Sequence, residues 1–366
     1  MGRPAGAADA AAAGVAAVRV RGAFRAAGFR VVVVPVERDE LVERRRRPGT
    51  EVSCGVDGLT RRTLTATTDH PGERHHRVAT VWWDGGMTSP VRLAARTLGD
   101  SGPRVVFVHG LFGQGRNWTT IARALAEDGH RVTLLDLPNH GHSPWTDRVD
   151  YRDMAEVVAE ELELLGDPVT LVGHSMGGKV AMQLALRRPE LLRALVVVDI
   201  APADYPETGG RTDDPDEEAS PFAAFIAAMQ GMDLDRLETR EQADAALRDA
   251  VPSTMVRSFL LQSLVRDGVG AGNGWRWRLN LETLARDLGE LRLFPDPPPG
   301  AAFEGPVLWI AGANSTYVLD EDRPRMDQLF PHVRLVRVKN AGHWVHSEQP
   351  EVFLETVRRF LARVER

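Results

Sequence analysis

Leu171-Val172-Gly173-His174-Ser175-Met176-Gly177-Gly178-Lys179-Val180 holds a serine in the pattern G-x-S-x-G. An apolar run, Val169 to Val172, precedes it. A segment of helical period follows, with Val180, Ala181, Leu184 and Ala185 on one side and a stop near Pro189. The stretch reads as strand, sharp turn and helix. Such a turn forces the serine into a strained backbone conformation, so the residues two before and two after it must lack bulk; Gly173 and Gly177 meet that need. Ser175 then stands at the carboxyl end of the strand as a nucleophile, where the plainer alternative is a serine in an ordinary glycine-rich turn.

The same rhythm extends outward on both sides. Val91 to Thr97 reads as a strand, and Arg104 to Val108 as a second, continuous enough in its apolar character to be buried on both faces. After His109-Gly110, the glycine-rich stretch Leu111 to Trp118 opens a helix from Thr119 to Glu127. Arg131 to Leu137 is a third strand, the loop Asn139 to Pro144 follows, and Tyr151 to Leu165 has helical period again. Beyond the serine turn come strands at Ala194 to Asp199, Val307 to Gly312 and Arg334 to Val338, then a terminal helix, Pro350 to Val364. Strands alternating with helices in this way predict an α/β fold, a mostly parallel sheet with helices on both faces. Ligands of such sheets collect at the carboxyl ends of the strands, where His109, Gly110, Leu111, Asp136, Ser175 and Asp199 fall.

An ester-cleaving serine needs two further provisions. Negative charge that develops on the attacked carbonyl oxygen requires preset N–H donors, and the backbone amides of Leu111 and Met176 could form such an oxyanion hole, where the plainer alternative is glycines that only make a strand-to-helix turn. The hydroxyl, a poor nucleophile at neutral pH, requires a base within hydrogen-bond reach. His343, in the loop Asn340 to His346 past the last strand, is the expected base; His346 competes, and is expected to line the entrance or pair with Glu348. The histidines His109, His140, His142 and His174 sit in strand-end loops with a scattered spacing that suggests shaping roles and no metal site.

Six motifs in order carry a resemblance: H-G-L-F-G (109–113), D-x-x-N-H-G-x-S (136–143), G-H-S-M-G-G-K (173–179), V-D-I-A-P (198–202), G-x-N-S (312–315) and N-A-G-H-W-V-H (340–346). The chain from Met87 onward resembles the α/β-hydrolase superfamily, and more narrowly small bacterial acyl esterases and their mitochondrial abhydrolase-11-type relatives. The resemblance implies a Ser-acid-His hydrolase of short to medium acyl esters or thioesters, a small-molecule substrate, and no cofactor or metal. It leaves the acid open. In the superfamily the acid usually follows the strand read here as Val307 to Ala311, yet Gly312-Ala313-Asn314-Ser315 stands there with no carboxylate before Asp320. Asp199, one strand earlier, is the preferred acid; its plainer reading is a cap for the next segment. Glu282, where the abhydrolase-11-type relatives carry an acid, is the alternative, and Ser315 or Asn314 could orient the histidine without charge. Other chemistry on the same serine, carbon–carbon bond hydrolysis or cofactor-free perhydrolysis, is the second reading of function, and a non-catalytic scaffold the third. Haloalkane and epoxide hydrolysis would need a carboxylate where Ser175 stands.

Between Ala203 and Pro299 the strand–helix rhythm breaks. An acidic stretch, Thr208 to Ser220, reads as a mobile loop, and helical patterns at Phe222 to Met229, Arg240 to Ala250 and Thr254 to Val265 predict a helical lid over Ser175. Phe222, Phe225, Met229, Met232, Phe259, Leu260 and Trp275 are candidates to line an acyl pocket, or else simply core. The first 86 residues lack a coherent period. They hold an alanine-rich opening, the run Arg44 to Arg47, and His70, His75 and His76, and read as a poorly ordered extension, with a transit peptide as the weaker alternative.

Of the 366 residues 43% are hydrophobic and 26% charged, ordinary values for a globular protein, with a formal net charge of -6. No run of about 18 apolar residues exists to span a membrane. The extension is net basic and the remainder net acidic, so the larger part offers no nucleic-acid surface. Cys54 is the single cysteine, which excludes internal disulfides. Among 45 basic residues only Lys179 and Lys339 are lysines, a skew that suggests a GC-rich, bacterial source and a cytoplasmic protein.

Overall fold

The computed structural model describes residues 51–52, 64–65, 91–206, 221–266 and 274–365. The chain divides into two units, Met1–Trp82 and Trp83–Arg366. Of the first, a two-residue antiparallel pairing is described, Glu51–Val52 with Leu64–Thr65. The alanine-rich opening, the arginine run, Cys54 and the histidines at 70, 75 and 76 lie outside the described residues, as does all of the acidic stretch 208–220 expected to be a mobile loop.

The second unit is built on a seven-stranded sheet. Its strands are β1 (Ala95–Leu98), β2 (Arg104–Val108), β3 (Arg131–Leu135), β4 (Val169–His174), β5 (Leu192–Val198), β6 (Val307–Gly312) and β7 (Val333–Val338), arranged in the order β7-β6-β5-β4-β2-β3-β1. All pairings are parallel except that of β1 with β3. The continuous apolar runs are what a sheet buried on both faces requires: every residue of β4 and of β6 is buried. Alternate side chains feed two cores. Val105, Phe107, Val172, Val196 and Ile310 pack with helices α1 (Thr119–Glu127) and α9 (Pro350–Val364) on one face. On the other, Val106, Val108, Leu171, Val197 and Trp309 pack with α2 (Tyr151–Glu163) and α3 (Met176–Arg187).

The first strand is shorter than the sequence suggests. The N–H groups of Leu93 and Ala94 go to the Glu161 carboxylate and the Ser143 hydroxyl, at 2.9 and 2.8 Å, so side chains take the bonds that a ladder would have used.

Parallel register brings the carboxyl ends level. Val108 pairs with Gly173, His174 with Val198, Val198 with Ile310, and Gly312 with Val338. The loops after β2, β3, β4, β5, β6 and β7 therefore open on one edge. Over that edge lies an insertion between β5 and β6, made of α4 (Pro221–Gln230), α5 (Arg240–Leu247), α6 (Thr254–Leu261), α7 (Leu281–Arg286), α8 (Leu288–Arg292) and a short antiparallel strand pair, Leu264–Arg266 with Trp275–Trp277. No helix among the described residues is long and apolar enough to cross a membrane.

Candidate active site

The turn between β4 and α3 puts Ser175 at φ 51° and ψ -119°, a strained conformation for a residue with a side chain. Its two glycines are required by close packing. A Cβ on Gly173 would fall 2.2 Å from the carbonyl oxygen of Gly177, and one on Gly177 would fall 2.4 Å from that of His109. Ser175 is 8% exposed, enough for its hydroxyl to reach a cavity while its backbone N–H donates to Val198 O at 3.0 Å.

His343 Nε2 lies 3.0 Å from Ser175 Oγ, and its Nδ1 lies 2.9 Å from Asp199 Oδ2. Proton and lone pair follow from these partners: Nδ1–H donates to the carboxylate, which leaves Nε2 to accept from the serine hydroxyl. Asp199 is fully buried at φ 48°, just past the end of β5. The neighbouring loop after β6 satisfies it, with Gly312 N donating to Oδ1 at 2.8 Å and the Ser315 hydroxyl donating to Oδ2. Ser315 thus bonds to Asp199 and not to the imidazole, which it was one of the candidates to orient. Glu282 is not brought to the site either. It is solvent-exposed in the first turn of α7, because the buried face of that helix presents Leu281 and Leu284.

Aromatic rings enclose the imidazole. Tyr317 stacks on it at 4.1 Å between ring centroids, and His174 and Trp344 flank it at 4.8 and 5.4 Å. His174 Nε2–H donates to the carbonyl of His343 at 2.9 Å, anchoring the loop that carries it. His346 neither lines the entrance nor pairs with Glu348. Its ring stacks on Trp118 at 4.2 Å, with Nδ1 buried and without a hydrogen-bond partner among the described residues, while the Glu348 carboxylate accepts from Gly342 N and Trp344 N at 2.8 and 3.2 Å. Burial pushes His346 down to about 3 and holds His174 well below the usual histidine range.

The loop after β2 approaches the serine closely, since a Cβ on Gly110 would meet His174 Nδ1 at 2.8 Å and Ser175 Cβ at 3.2 Å. Among the described residues neither the N–H of Leu111 nor that of Met176 has an acceptor, and both residues border the cavity at Ser175. Beneath the loop, burial lowers His109 and takes His140 down to about 3, and the Nε2 of each accepts a backbone N–H, from Leu137 and Phe112 at 2.9 and 3.2 Å, as a neutral imidazole does. Asp136 is held at about 2: burial opposes this, but hydrogen bonds from the His142 side chain and from the N–H groups of His142 and Gly115 outweigh it.

Two cavities meet at Ser175, of about 320 and 460 Å³ with their open mouths included. The first is apolar, walled by Phe112, Phe222, Phe225, Val256, Phe259 and Leu260. The second carries Tyr151, Tyr205, Tyr317 and Arg292 among its walls. Of the residues expected in an acyl pocket, Met229 and Trp275 instead belong to the core, Met232 packs against it, and Phe222, Phe225, Phe259 and Leu260 do border the cavity. Sequence reasoning missed Tyr317 and the role of Lys179. Lys179, 1% exposed, donates to the carbonyls of Arg292 and Leu293 at 2.7 and 2.8 Å, holding the end of α8 against the helix that follows the serine. The one available signal was a lysine inside an otherwise apolar helical stretch.

Comparison with known proteins agrees with this architecture. The alpha/beta hydrolase fold family matches residues 103–350. The mouse (Mus musculus) protein named sn-1-specific diacylglycerol lipase ABHD11 is 41% identical over 266 residues, 71% of this chain and 81% of the relative. Esterase YbfF of Escherichia coli (strain K12) is 35% identical over 258 residues, 70% of this chain and 92% of the relative. A solved structure described as a marine microorganism esterase superposes with a TM-score of 0.67 at 32% identity, covering 74% of this chain and 99% of its own. The chain belongs to the alpha/beta hydrolase family.

Proposed function

We propose that the protein hydrolyses carboxylic esters or thioesters of short to medium acyl chain through an acyl-enzyme formed on Ser175. The observation that carries this reading is the alignment of His343 between Ser175 Oγ at 3.0 Å and Asp199 Oδ2 at 2.9 Å. His343 Nε2 takes the hydroxyl proton as Ser175 Oγ attacks the acyl carbon. The Leu111 and Met176 amides receive the oxyanion, and removing one such donor typically costs about 2.7–4 kcal/mol of barrier. The imidazolium returns the proton to the departing alcohol or thiol, and Asp199 stabilises it while that charge lasts. Water, deprotonated by the same imidazole, then releases the acid. The insertion acts as a lid that keeps the site apolar, and the wall of Phe222, Phe225, Val256, Phe259 and Leu260 suits an acyl chain better than a sugar or phosphate.

Hydrolysis of p-nitrophenyl esters from acetate to laurate tests the reading, alongside labelling by a fluorophosphonate. Turnover that vanishes in Ser175→Ala supports it. A wild-type protein that is labelled yet silent on every ester and thioester would sink it.

A further inference from the structure

Phe112 joins the loop after β2 to the insertion. It sits at φ 63°, a left-handed conformation that a bulky side chain does not adopt unless its surroundings impose it. Three successive peptide groups of this loop are each held by a different side chain. The carbonyl of the Gly110–Leu111 peptide accepts from His109 Nδ1 at 2.8 Å, and also from Gly113 N at 3.0 Å. The N–H of the Leu111–Phe112 peptide donates to His140 Nε2 at 3.2 Å. The carbonyl of the Phe112–Gly113 peptide accepts from the Ser263 hydroxyl at 3.2 Å.

The first two braces come from the sheet edge. His140 is an obligate acceptor here, because its Nδ1–H is committed to Pro138 O at 2.9 Å. The third brace comes from the insertion. Ser263 is fully buried between α6 and the strand Leu264–Arg266, and its backbone is bonded to Leu260 and Arg278 at 3.0 and 2.8 Å. Further bonds tie the same two regions. Arg116 donates to Gln262 O at 2.6 Å, Asn117 to Gln262 Oε1 at 2.8 Å, and Asn280 N to Asn139 O at 3.0 Å. The Phe112 ring meets Phe222 of α4 at 5.9 Å.

We infer that Ser263 is a positioning residue for the reaction at Ser175: its hydroxyl, with His140, fixes the peptide groups that aim the Leu111 N–H at the developing oxyanion, so that docking of the insertion completes the oxyanion site. This rests on the oxyanion role proposed above for Leu111. A donor on a loop free to shift by about 1 Å loses much of its effect, since misplacements of that size can cost as much as 10²-fold in rate.

The test is the second-order rate at which a fluorophosphonate modifies Ser175, measured across pH in the full-length wild type, Ser263→Ala and Ser263→Thr. In that step Ser175 Oγ bonds to phosphorus as the P–F bond breaks, fluoride leaves, His343 takes the serine proton, and the phosphoryl oxygen occupies the oxyanion position. The expected result is a rate lower by about tenfold or more in Ser263→Ala, restored in Ser263→Thr, with the acidic limb of the pH profile unmoved. A wild-type rate in folded Ser263→Ala overturns the inference. So does a shifted acidic limb, which would route the effect through His343, or a wild-type protein that is not labelled. Because labelling needs no ester, failure of ester turnover in the wild type bears on the proposed substrate and leaves this measurement decisive.

Discussion

His343 Nδ1 meets Asp199 Oδ2 at 2.9 Å, so the histidine after the last strand is paired with a carboxylate at the end of β5, not one at the end of β6. The two strands are neighbours in register, Val198 beside Ile310, and the left-handed backbone at Asp199 turns its carboxylate across the end of β6, where Gly312 N and the Ser315 hydroxyl receive it. Ester hydrolysis is the activity this family membership supports, and the pairing decides which substitutions should abolish it.

Asp199→Asn should lower kcat by roughly 10⁴-fold, the effect of holding the imidazole in the wrong tautomer. Ser315→Ala removes one hydrogen bond to a charged group, worth roughly 1.5–3 kcal/mol, and should cost about ten- to hundredfold. Glu282→Gln should be silent. Steady-state hydrolysis of one p-nitrophenyl ester by the three variants checks the order; a severe loss in Glu282→Gln with an active Asp199→Asn reverses the assignment.

Folding stability should decline as pH falls below about 6.5, the ordinary histidine value. His109, His140, His174 and His346 all titrate below that value in the folded protein, chiefly because of burial. The unfolded chain therefore takes up protons that the folded chain refuses, and the stability present at neutral pH is lost on acidification. Each such group contributes at most about 1.4 kcal/mol per pH unit between pH 6.5 and its folded value. His346→Phe keeps the ring contact with Trp118 and removes one refused proton and one unpartnered buried nitrogen. Urea unfolding at pH 7.5 and pH 5 should show a smaller difference for that variant than for the wild type.

Lys179→Met should destabilise the protein by roughly 1.5–3 kcal/mol, because the carbonyls of Arg292 and Leu293 lose their charged donor. Chemical denaturation measures the loss. An unchanged midpoint would mean that the methionine packs as well as the ammonium bonds.

Cavity shape should set chain-length preference. Phe225→Ala opens the apolar wall and should move the best substrate toward longer acyl chains, and Leu260→Trp should move it toward shorter ones. Each methylene gained or lost is worth about 0.8 kcal/mol, or roughly fourfold in kcat/KM. If both variants keep the wild-type profile from acetate to laurate, the acyl chain lies in the tyrosine-lined cavity instead.

The strands and helices that carry the site were legible because their causes are local. Continuous apolar runs such as Val105 to Val108 and Val169 to Val172 state that a strand is buried on both faces, and Gly173 and Gly177 announce the turn that their own close contacts require. The terminal helix Pro350–Val364 begins and ends where its proline and apolar spacing indicate. The insertion was legible as helices but not in its docking. An amphipathic pattern says which face of a helix is buried without naming what it is buried against, and on that count Met229 and Trp275 were indistinguishable from Phe225 and Phe259.

By itself, then, the sequence determined the strand–helix order, the serine turn, the histidine loop and the short list of acids, since each follows from residues within a few positions of one another. Only the tertiary structure brought Asp199 to His343 and Ser263 to the Phe112 carbonyl. Asp199 and His343 are 144 residues apart, and Phe112 and Ser263 are 151 apart. Such pairs meet because of strand order, register and the left-handed backbone at Asp199 and Phe112, and none of these is encoded in a local period.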